Sequence, residues 1–557
     1  MRLVTSVNSR VHCMRSNEMA LQIPPNFSDP NIIRDPYPAF AWLRVHDPVH
    51  WCEHHKAWLL TRFGDVSAAQ VDAKRYSSNR MRQLADAQLS KATRAVLEPF
   101  VEKASRWMYS LDGEEHEAGR RVLGKTFSPS SIEALGVAIQ QIVDDQLTQL
   151  SPRPEMMVEL FNKIPALILA HLFRIPAEDA LRIRGWTDAI IVCMVGSTDP
   201  AYGPKQALQA IEEMYGYFSG LIGQRRLAPG NDLVSHVITA AEESGMSEED
   251  GLAQLAFVLV AATTTSADQL GIILFYLLDK PQRWTAVREN PDFLLDAAIE
   301  EALRICPAGQ LSHRVLAEDV VLHDKTMRRG DLVFLVRAAA NRDPAHFSRP
   351  DQFNLKRAKQ DHLAFGRGPH FCMGRLLFKL EANILFSALL RRFPHMHLIK
   401  WQPPRWRDNS LQFRGLSRIQ VDLAPAADAI TRCFSAAPWE KKGGYCRALR
   451  AGGLFMTSGT VAFDEQGKPF AEGDVYRQTL RCLEIIEAAL KQLGTDRTRV
   501  VATRMYTTDM ALWQKILKAH KQFFNGCEPT TMLLCVKALI EPAFLIEIEA
   551  QAAVGQS

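Results

Sequence analysis

The sequence lacks several features that would assign a function class at once. Its 10 cysteines are scattered over 557 residues without a C-x-x-C pair, which argues against zinc, an iron–sulfur cluster or a disulfide scaffold and favours a reducing cytoplasm. The net charge of +4 is not concentrated in a basic tract, so nucleic acid is not implied. The longest apolar runs, 252–262 and 270–278, are too short to span a bilayer, and we expect no membrane association.

Residues 1–24 are expected to form an N-terminal extension. The first part of this segment carries Arg2, Arg10 and Arg15 but no apolar stretch of the kind found in a secretory signal. Two explanations stay open: the segment is a disordered extension, or Met19 is a second start of translation.

The composition, 47% apolar and 23% charged, is that of a globular chain with room for a very large domain and a further one. Up to about residue 425 the pattern is mostly helical, and the helix expected at 249–278 is almost wholly apolar, which is typical of a core helix. After it, strand and helix patterns follow in the order β-β-α-β-α-β-β, which predicts helices on one face of a mixed sheet. We therefore expect a first domain at 25–425, a linker at 426–436 and a second domain at 437–557.

The loop 365–374, F-G-R-G-P-H-F-C-M-G, surrounds one cysteine with three glycines. Glycine lets the backbone pass where a Cβ would not fit, and it leaves amides that can point at the sulfur of Cys372 and stabilise a thiolate. The alternative for Cys372 taken alone is a buried, inert thiol.

The spacing F-G-x-G-x-H-x-C-x-G resembles the haem-ligand motif of the cytochrome P450 family. Glu301 and Arg304 match the E-x-x-R pair of that family, and N-R-D-P at 341–344 and D-Q-F-N at 351–354 follow in the expected order. The resemblance covers about residues 25–425. It implies a mostly α fold with small β-sheets, haem b as cofactor, Cys372 as the axial ligand of the haem iron, and a structural ion pair between Glu301 and Arg304.

Haem propionates need buried partners, because an unpaired buried charge is costly. His116 and Arg120 are four residues apart and would share one face of a helix. Together with Arg314 and His370 they resemble the four propionate partners of the family. For the helical pair alone, the alternative is a solvated helix face.

The segment A-A-T-T-T-S at 261–266 aligns with the family's A-G-x-(D/E)-T-T. Thr265 keeps the alcohol expected over the iron, Thr264 stands where the acid should be, and Ala262 replaces a glycine. We expect Thr265 and Thr264 to be catalytic, with protons delivered by water through both threonines, by a group on the substrate, or by an altered course. Neutral drift at Thr264 is the alternative.

Neither a flavin nor a nicotinamide motif can be placed at a strand-to-helix turn, so electrons are expected from a separate ferredoxin and ferredoxin reductase, or peroxide replaces them. Arg367, Arg375 and Lys379, close to the cysteine loop, would attract an acidic ferredoxin. An ordinary solvated basic face is the alternative.

Residues from about 430 to 553 resemble the Rid family, also called YjgF-type, whose trimeric members hydrolyse imines and enamines. The resemblance rests on G-Y-C-R at 444–447, F-M-T-S-G-T at 455–460, E-P-T-T-M at 528–532 and I-E-I-E-A at 546–550. It implies an α+β, chorismate-mutase-like fold and a homotrimer.

The expected site of this second domain comprises Tyr445, Arg447, Ser458, Thr531 and Glu547, and Arg504 is an alternative to Arg447. Thr531 replaces the arginine that grips a substrate carboxylate in the deaminating members of the family. Three roles therefore stay open: hydrolysis of a different imine, a reaction on the oxidised product, or trimerisation without chemistry.

The two resemblances imply a haem-thiolate monooxygenase that oxidises a small organic metabolite with dioxygen and external electrons, and a Rid-like domain that processes or guards a reactive imine-type product or drives trimerisation. A nitrogen-containing substrate would fit both halves; this link is an inference from the fusion, and secondary metabolism is the expected setting. The alternative is a catalytically altered haem-binding scaffold or sensor in which that domain only assembles trimers. The pocket is expected from segments 80–100, 190–205, 257–265 and 308–312, which are mostly apolar.

Overall fold

The computed structural model describes residues 25–194, 203–358, 361–423, 430–435 and 437–553. The chain falls into two compact units that divide after Leu423. The expected extension 1–24, with Met19, lies outside the described residues. The same holds for 426–429 and 436 of the expected linker and for 195–202 of the expected pocket segment.

The first unit is mostly helical. Its helices are α1 (Pro30–Arg34), α2 (Tyr37–His46), α3 (Phe63–Val71), α4 (Met81–Gln88), α5 (Lys91–Ser105), α6 (Gly113–Gly124), α7 (Pro129–Ala134), α8 (Gly136–Thr148), α9 (Ile164–Phe173), α10 (Asp179–Met194), α11 (Pro204–Leu227), α12 (Leu233–Ser244), α13 (Glu248–Leu278), α14 (Pro281–Glu289), α15 (Pro291–Ile305), α16 (Arg337–Ala340) and α17 (Arg375–Arg392). Its strands are β1 (Val49–Cys52), β2 (Ala57–Leu60), β3 (Tyr76–Ser77), β4 (Ser312–Leu316), β5 (Val320–Leu322), β6 (Lys325–Met327), β7 (Leu332–Leu335), β8 (His397–Leu398), β9 (Arg405–Trp406), β10 (Leu416–Arg418) and β11 (Val421–Asp422).

Helix α13 runs through the core, as its apolar pattern predicts. Ser247 caps its start by accepting a hydrogen bond from the Asp250 amide, and no proline interrupts its 31 residues. Within the described residues, α13 is the one helix long and apolar enough to cross a membrane, although each apolar run taken by itself is too short. Of its most apolar window, 72% is buried inside the fold.

A five-stranded sheet with the order β1-β2-β7-β4-β3 lies beside these helices. Strands β2 and β7 are parallel, and the other pairs are antiparallel. The sheet holds β4, and with it Arg314, between β7 and β3. The cysteine loop ends where α17 begins, so the position of Cys372 is fixed by a long core helix.

The second unit contains α18 (Pro438–Gly443), α19 (Val475–Gln492) and α20 (Trp513–Phe523). Its strands are β12 (Ile430–Cys433), β13 (Ala448–Ala451), β14 (Leu454–Thr457), β15 (Thr460–Val461), β16 (Val500–Thr507), β17 (Thr530–Cys535) and β18 (Ile546–Ala553). The sheet order is β12-β13-β14-β18-β16-β17, with β15 also paired to β18. Strands β16 and β17 are parallel, which makes the sheet mixed as predicted.

Helix α19 begins after Asp474, whose carboxylate accepts hydrogen bonds from the amides of Tyr476 and Arg477. Its buried side faces the sheet through Cys482, Ile486 and Leu490. Tyr476 in the first turn is half-buried, and its hydroxyl donates to the side chain of Gln522. The sequence pattern did not predict strands β12 and β13, because the short stretches around 430–451 show no clear alternation of apolar and polar residues.

Candidate active site

The first unit encloses a cavity of about 360 Å³ beside the cysteine loop. Cys372 forms part of its wall, and its side chain is accessible from the cavity. Six of the residues expected from the sequence to bind haem or take part in catalysis line the same cavity: His116, Arg120, Thr265, Arg314, His370 and Cys372. They come from α6, α13, β4 and the loop before α17, so only the folded chain brings them together.

The geometry of the cysteine loop depends on its glycines. Gly366 and Gly368 have φ values of +71° and +72°, which favour glycine. A Cβ on Gly368 would lie 2.7 Å from the carbonyl oxygen of Gln70, so no other residue fits there without displacing the backbone. The Cys372 amide donates to the Phe365 carbonyl over 3.0 Å and closes the loop.

Opposing effects act on the Cys372 thiol. Burial raises its pKa, while the amides of Gly374 and Arg375 and the guanidinium of Arg337 oppose the rise by favouring the thiolate. The amides that the glycine-rich sequence was expected to supply are therefore in place. A positive centre such as a metal ion beside the sulfur would favour the thiolate further.

In the part of the chain that the structure describes, three buried arginines at or near the cavity have no ion-pair partner: Arg80, Arg314 and Arg337. Arg314 is buried, and its guanidinium donates to the carbonyl of the adjacent His313 over 2.7 Å. Within the described residues, these buried nitrogen atoms have no hydrogen-bond partner: Arg80 Nε and Nη2, His313 Nδ1 and Arg337 Nε. Burial and the neighbouring Arg80 lower the pKa of Arg314 to about 9. His313 and Arg337 line the cavity, and a group that brings carboxylates there, as haem does with its propionates, would satisfy their donors.

His116 and His370 lie side by side, with ring centroids 4.0 Å apart. Burial lowers the pKa of both, and His370 and Arg120 lower that of His116 further, to about 4. Neutral imidazoles still carry one N–H each and can donate to a carboxylate. Arg120 donates to the Phe371 carbonyl over 2.9 Å, which ties α6 to the cysteine loop. The residues present therefore fit a haem held from the Cys372 side.

Arg337 lines the cavity and Arg80 is buried near Arg314, and sequence reasoning missed both. Arg337 donates to the carbonyls of Ala364 and Leu311 over 3.2 and 3.1 Å, so it joins the cysteine loop to the segment before β4. Both arginines are single positions outside any spaced motif, and the sequence carries no signal that distinguishes them from surface arginines.

The two threonines of α13 point to different sides. The Thr265 hydroxyl donates to the Ala261 carbonyl over 2.6 Å, and both residues line the cavity. Thr264 is buried, and its hydroxyl donates over 3.2 Å to the carboxylate of Asp188 on α10. Thr264 thus lies between α10 and α13 and does not line the cavity. A water relay through both threonines would need Thr264 to face the cavity.

Glu301 and Arg304 lie behind the cavity as a buried pair. Arg304 donates to both carboxylate oxygens of Glu301 over 2.8 and 2.9 Å. Its remaining nitrogen reaches the carbonyls of Asn341 and Pro350 over 2.8 and 2.9 Å. The pair therefore holds the segment after α16 against α15.

Two of the three basic residues expected to attract a ferredoxin are already paired. Lys379 lies 2.7 Å from carboxylates of both Asp296 and Glu300, and Arg367 lies 2.9 Å from Asp361. Their charge is largely neutralised locally, so the basic patch is weaker than the sequence indicates.

In the second unit, both arginines proposed for substrate binding are held by acidic partners. Arg447 is buried and donates to Glu440 over 2.8 Å, to the Gly459 carbonyl over 3.0 Å and to Thr460 over 2.9 Å. Arg504 pairs with Glu549 at 2.8 Å. Arg447 thus stabilises the turn between β14 and β15.

Glu547 is not an edge residue, since β18 lies between β15 and β16 at this point. Its carboxylate occupies the space where Gly459 would carry a Cβ. Burial raises the pKa of Glu547, and Arg447 opposes the rise. The Ser458 hydroxyl donates to the Cys446 carbonyl over 2.8 Å, and the Ser458 amide donates to the Arg447 carbonyl. Ser458 therefore lies next to Arg447.

The other two residues expected in that site have different neighbours. Tyr445 follows α18, and its amide donates to the Glu440 carbonyl over 3.1 Å. Thr531 lies on the edge strand β17, where its hydroxyl is 2.8 Å from that of Thr503. The structure therefore groups Arg447, Ser458 and Glu547, while Thr531 lies across the sheet from them within one chain.

Comparison with known proteins agrees with this division. The family model described as Cytochrome P450 matches residues 209–406, and the model described as Endoribonuclease L-PSP, which represents YjgF-type proteins, matches residues 435–554. The two matches lie in the first and second units respectively.

Individual relatives match the first unit over nearly their whole length. The polyketide biosynthesis cytochrome P450 PksS of Bacillus subtilis is 30% identical over 70% of this chain and 96% of its own length. Nocardicin C N-oxygenase of Nocardia uniformis is 30% identical over 69% of this chain and 95% of its own. The crystal structure of CalO2 superposes with a TM-score of 0.65 at 28% identity and covers 72% of this chain and 98% of its own.

Proposed function

The chain belongs to the cytochrome P450 family, as a haem b oxidoreductase with a C-terminal Rid/YjgF-type domain, and on this premise we propose that it oxidises a small nitrogen-containing metabolite whose reactive product the second domain processes. The observation that carries the first half is the pair of buried, unpartnered donors of His313 and Arg337, which line the same mostly apolar cavity as Cys372.

The proposal assigns the cofactor contacts as follows. Cys372 would hold the haem iron through its sulfur, and His116, Arg120, Arg314 and His370, together with His313 and Arg337, would offer N–H donors to the propionates. When bound, haem with a thiolate ligand supplies the activation of dioxygen for monooxygenation. Thr265 holds a proton-bearing hydroxyl at the cavity wall, already oriented by its bond to Ala261.

The walls opposite the cysteine loop favour an uncharged, mostly apolar substrate. Helices α10 and α13 contribute mostly apolar or hydroxyl side chains to the cavity: Ile191, Met194, Phe257, Val258, Val260, Ala261, Ala262, Thr265 and Ser266. Gln269 of α13 also lines the cavity, and its amide is already bonded to the backbone of Cys306 and Ala308. Oxidation at nitrogen is supported by the likeness to an N-oxygenase, since that relative is matched over nearly its full length. A neutral amine or a masked amino compound fits both observations.

We assign the supply of electrons to a separate ferredoxin and ferredoxin reductase. We place the protein in the cytoplasm, where reduced carriers are available. Arg375 begins α17 directly after the cysteine loop and lies over the half-exposed ring of Phe371. We assign the docking of the carrier to this surface, because electron transfer needs a short path to Cys372.

We propose that the second domain acts on the product of the first domain. Oxidation of an amine nitrogen or of its neighbouring carbon gives imine-type species, which water attacks at carbon. Burial raises the pKa of Glu547, which favours the protonated form of a carboxyl group that could serve in general acid–base catalysis. Fusion keeps the second site at a high effective concentration relative to the product of the first.

We propose that the second domain self-associates through the face of its sheet that α19 and α20 do not cover. Large apolar side chains are exposed there on β14 and β17: Leu454, Met456, Met532 and Leu534. Cross-strand pairing places all four on the face opposite α19 and α20. A homotrimer formed through this domain would bury them.

The test uses the full chain with haem, a surrogate ferredoxin and its reductase, and a panel of small primary and secondary amines and amino acid derivatives. Products are identified by mass spectrometry, and carbonyl and ammonia release are measured in parallel. The proposal expects oxidation at or beside nitrogen for at least one panel member. Oxidation confined to carbon far from nitrogen would contradict the substrate assignment.

The role of the second domain is tested with Glu547→Gln, matched by Glu549→Gln two residues later on the same strand. The proposal expects the oxidised intermediate to accumulate in Glu547→Gln and not in the control. Equal product ratios in both variants and the unmodified chain would leave assembly as the role of the domain.

A further inference from the structure

Arg80 is a fully buried arginine that forms no ion pair in the part of the chain that the structure describes. Its Nη1 donates to the carbonyls of Ser78 and, over 3.1 Å, of Tyr109, while Nε and Nη2 have no hydrogen-bond partner. Its guanidinium lies 4.1 Å from the centroid of the Tyr109 ring. All of these partners are neutral, and a guanidinium does not lose its proton in proteins, so a full positive charge is held inside the fold.

The helix that begins here does not account for this cation. Arg80 is the N-cap residue of α4, and its side chain caps none of the free amides. Serine, threonine, aspartate and asparagine are preferred at this position, and the helix dipole disfavours a positive charge there. Two residues later, Arg82 shows the ordinary arrangement, since its side chain is 65% exposed and pairs with Glu98 at 2.7 Å. The charge of Arg80 therefore has a cost that neither the helix nor an anion offsets.

Arg80 lies directly behind the cavity wall. Tyr109, which the guanidinium covers, lines the cavity, and its ring stacks on that of Phe257 with centroids 5.6 Å apart. Arg314 and His313 line the same cavity, and burial followed by the charge of Arg80 lowers the pKa of both. The charge of Arg80 thus acts on the cavity through a single layer of side chains.

Acidic groups close to the cavity do not cancel this charge. Among the described residues that line the cavity, Glu381 is the one carboxylic acid, and burial raises its pKa to about 8, so it is mostly protonated at neutral pH. Asp112 opposes the fall in the pKa of Arg314, but its carboxylate also lies 3.6 Å from His370. One carboxylate therefore faces two arginines, Arg80 and Arg314, and an excess of positive charge remains.

We propose that Arg80 raises the reduction potential of haem held by Cys372, although Arg80 does not line the cavity itself. This inference rests on the haem contacts proposed above. Reduction adds one negative charge to the haem, and a fixed positive charge in surroundings of low dielectric constant favours the reduced form. A thiolate ligand donates electron density to the iron and opposes reduction. Arg80 counteracts this effect and eases the uptake of an electron from the ferredoxin.

The test measures the midpoint potential of the haem in the full chain by spectroelectrochemical titration, without substrate or ferredoxin. Arg80→Met and Arg80→Gln remove the charge, Arg80→Lys keeps it, and Arg82→Met is the control on the same helix. Two unit charges about 10 Å apart at an effective dielectric constant of about 20 change an equilibrium about 10-fold. At a given applied potential we therefore expect both neutral variants to shift about 10-fold toward ferric haem, a midpoint lower by about 59 mV. Arg80→Lys should keep most of the unmodified potential, and Arg82→Met all of it.

A second readout uses two small iron ligands as probes. Bound cyanide adds a negative charge at ferric iron, whereas bound imidazole adds none. Loss of the Arg80 charge should weaken the binding of cyanide by about the same 10-fold factor and leave imidazole unchanged. A displaced haem or an altered cavity shape would change the binding of both ligands. The effect on cyanide should persist at high ionic strength, because salt screens a buried charge much less than an exposed one.

Neutral variants that keep the midpoint potential of Arg82→Met overturn the inference, and so does equal weakening of cyanide and imidazole. Failure of both neutral variants to hold haem also overturns it, because Arg80 would then serve the fold or the retention of the cofactor. An unmodified chain that takes up no haem overturns the proposed function, and the inference with it.

Discussion

The guanidinium of Arg357 lies 3.0 and 2.9 Å from the two carboxylate oxygens of Glu301, which also accept hydrogen bonds from Arg304. One buried carboxylate therefore balances two arginines. The other nitrogens of Arg357 donate to backbone carbonyls of Ser348, Arg349 and Gln352. The group fixes the segment before the cysteine loop against α15.

Removing the charge of Glu301 should destabilise the first domain strongly. In Glu301→Gln two buried guanidinium groups lose their counterion, and breaking a buried pair in this way costs about 3–5 kcal/mol. Thermal denaturation of the full chain checks the effect. Glu289→Gln is the control, since Glu289 is 58% exposed and lies 3.5 Å from Arg288, and such pairs contribute about 0–1 kcal/mol. Equal melting temperatures for the two variants would contradict the prediction.

The Glu301 network also shows which contacts can be predicted from the sequence and which cannot. Glu301 and Arg304 form a helical pair, so their spacing alone predicts the contact. Arg357 joins from 56 positions away along a segment without regular structure, and Asp188 meets Thr264 across 76 positions. No spacing rule links such residues, because their meeting depends on how whole helices pack.

The same limit applies to the cavity. The Cys372 loop and the apolar α13 follow from local patterns, and the resemblance supplied His116, Arg120, Arg314 and His370. Arg80 and Arg337 were missed because only burial distinguishes them from surface arginines. The ion pair between Arg447 and Glu440 was also missed, because Glu440 lies on α18, a short helix that the sequence pattern does not predict.

Haem retention should depend on Arg120 and not on its neighbour. Arg120 lines the cavity and ties α6 to the Phe371 carbonyl, whereas Arg121 points away and pairs with Glu114 at 2.8 Å. In Arg120→Gln we expect haem to transfer to apomyoglobin at least about 10-fold faster, because a charged hydrogen bond is worth about 1.5–3 kcal/mol. Arg121→Gln should transfer haem at the unmodified rate. Equal rates in both variants would remove Arg120 from the cofactor site.

Acid should weaken the contact between α15 and α17. Burial opposes ionisation of Glu300, but His362 and Lys379 lower its pKa from the ordinary 4.5 to about 2. A carboxyl group whose pKa is lower in the folded state contributes stability above its ordinary pKa and loses that contribution as the pH falls through the folded value. The contribution of Glu300 should thus be full at neutral pH and should fade between about pH 4.5 and 2.

Comparison of the unmodified chain with Glu300→Gln isolates this effect from other titrating groups. At pH 7 the variant should be less stable by about 1–2 kcal/mol, a value reduced by the partial exposure of the pair. The difference in melting temperature should shrink steadily as the pH is lowered to 3. A difference that stays constant over this range would mean that Glu300 titrates alike in both states.

Charge on the uncovered face of the second sheet should prevent self-association. Met532 is 52% exposed on the edge strand β17, and pairing with β16 places it beside Arg504 on the face opposite the helices. A lysine there would have to be desolvated in an interface that buries the sheet, next to a second cation, so assembly should become unfavourable. Met510, 42% exposed on the turn before α20, offers a matched position outside the sheet. We expect Met532→Lys to lower the molar mass measured by light scattering from that of an oligomer to that of one chain, while Met510→Lys leaves it unchanged. If Met532→Lys keeps the mass of the unmodified protein, the uncovered face is not the assembly surface, and its apolar residues must serve another contact.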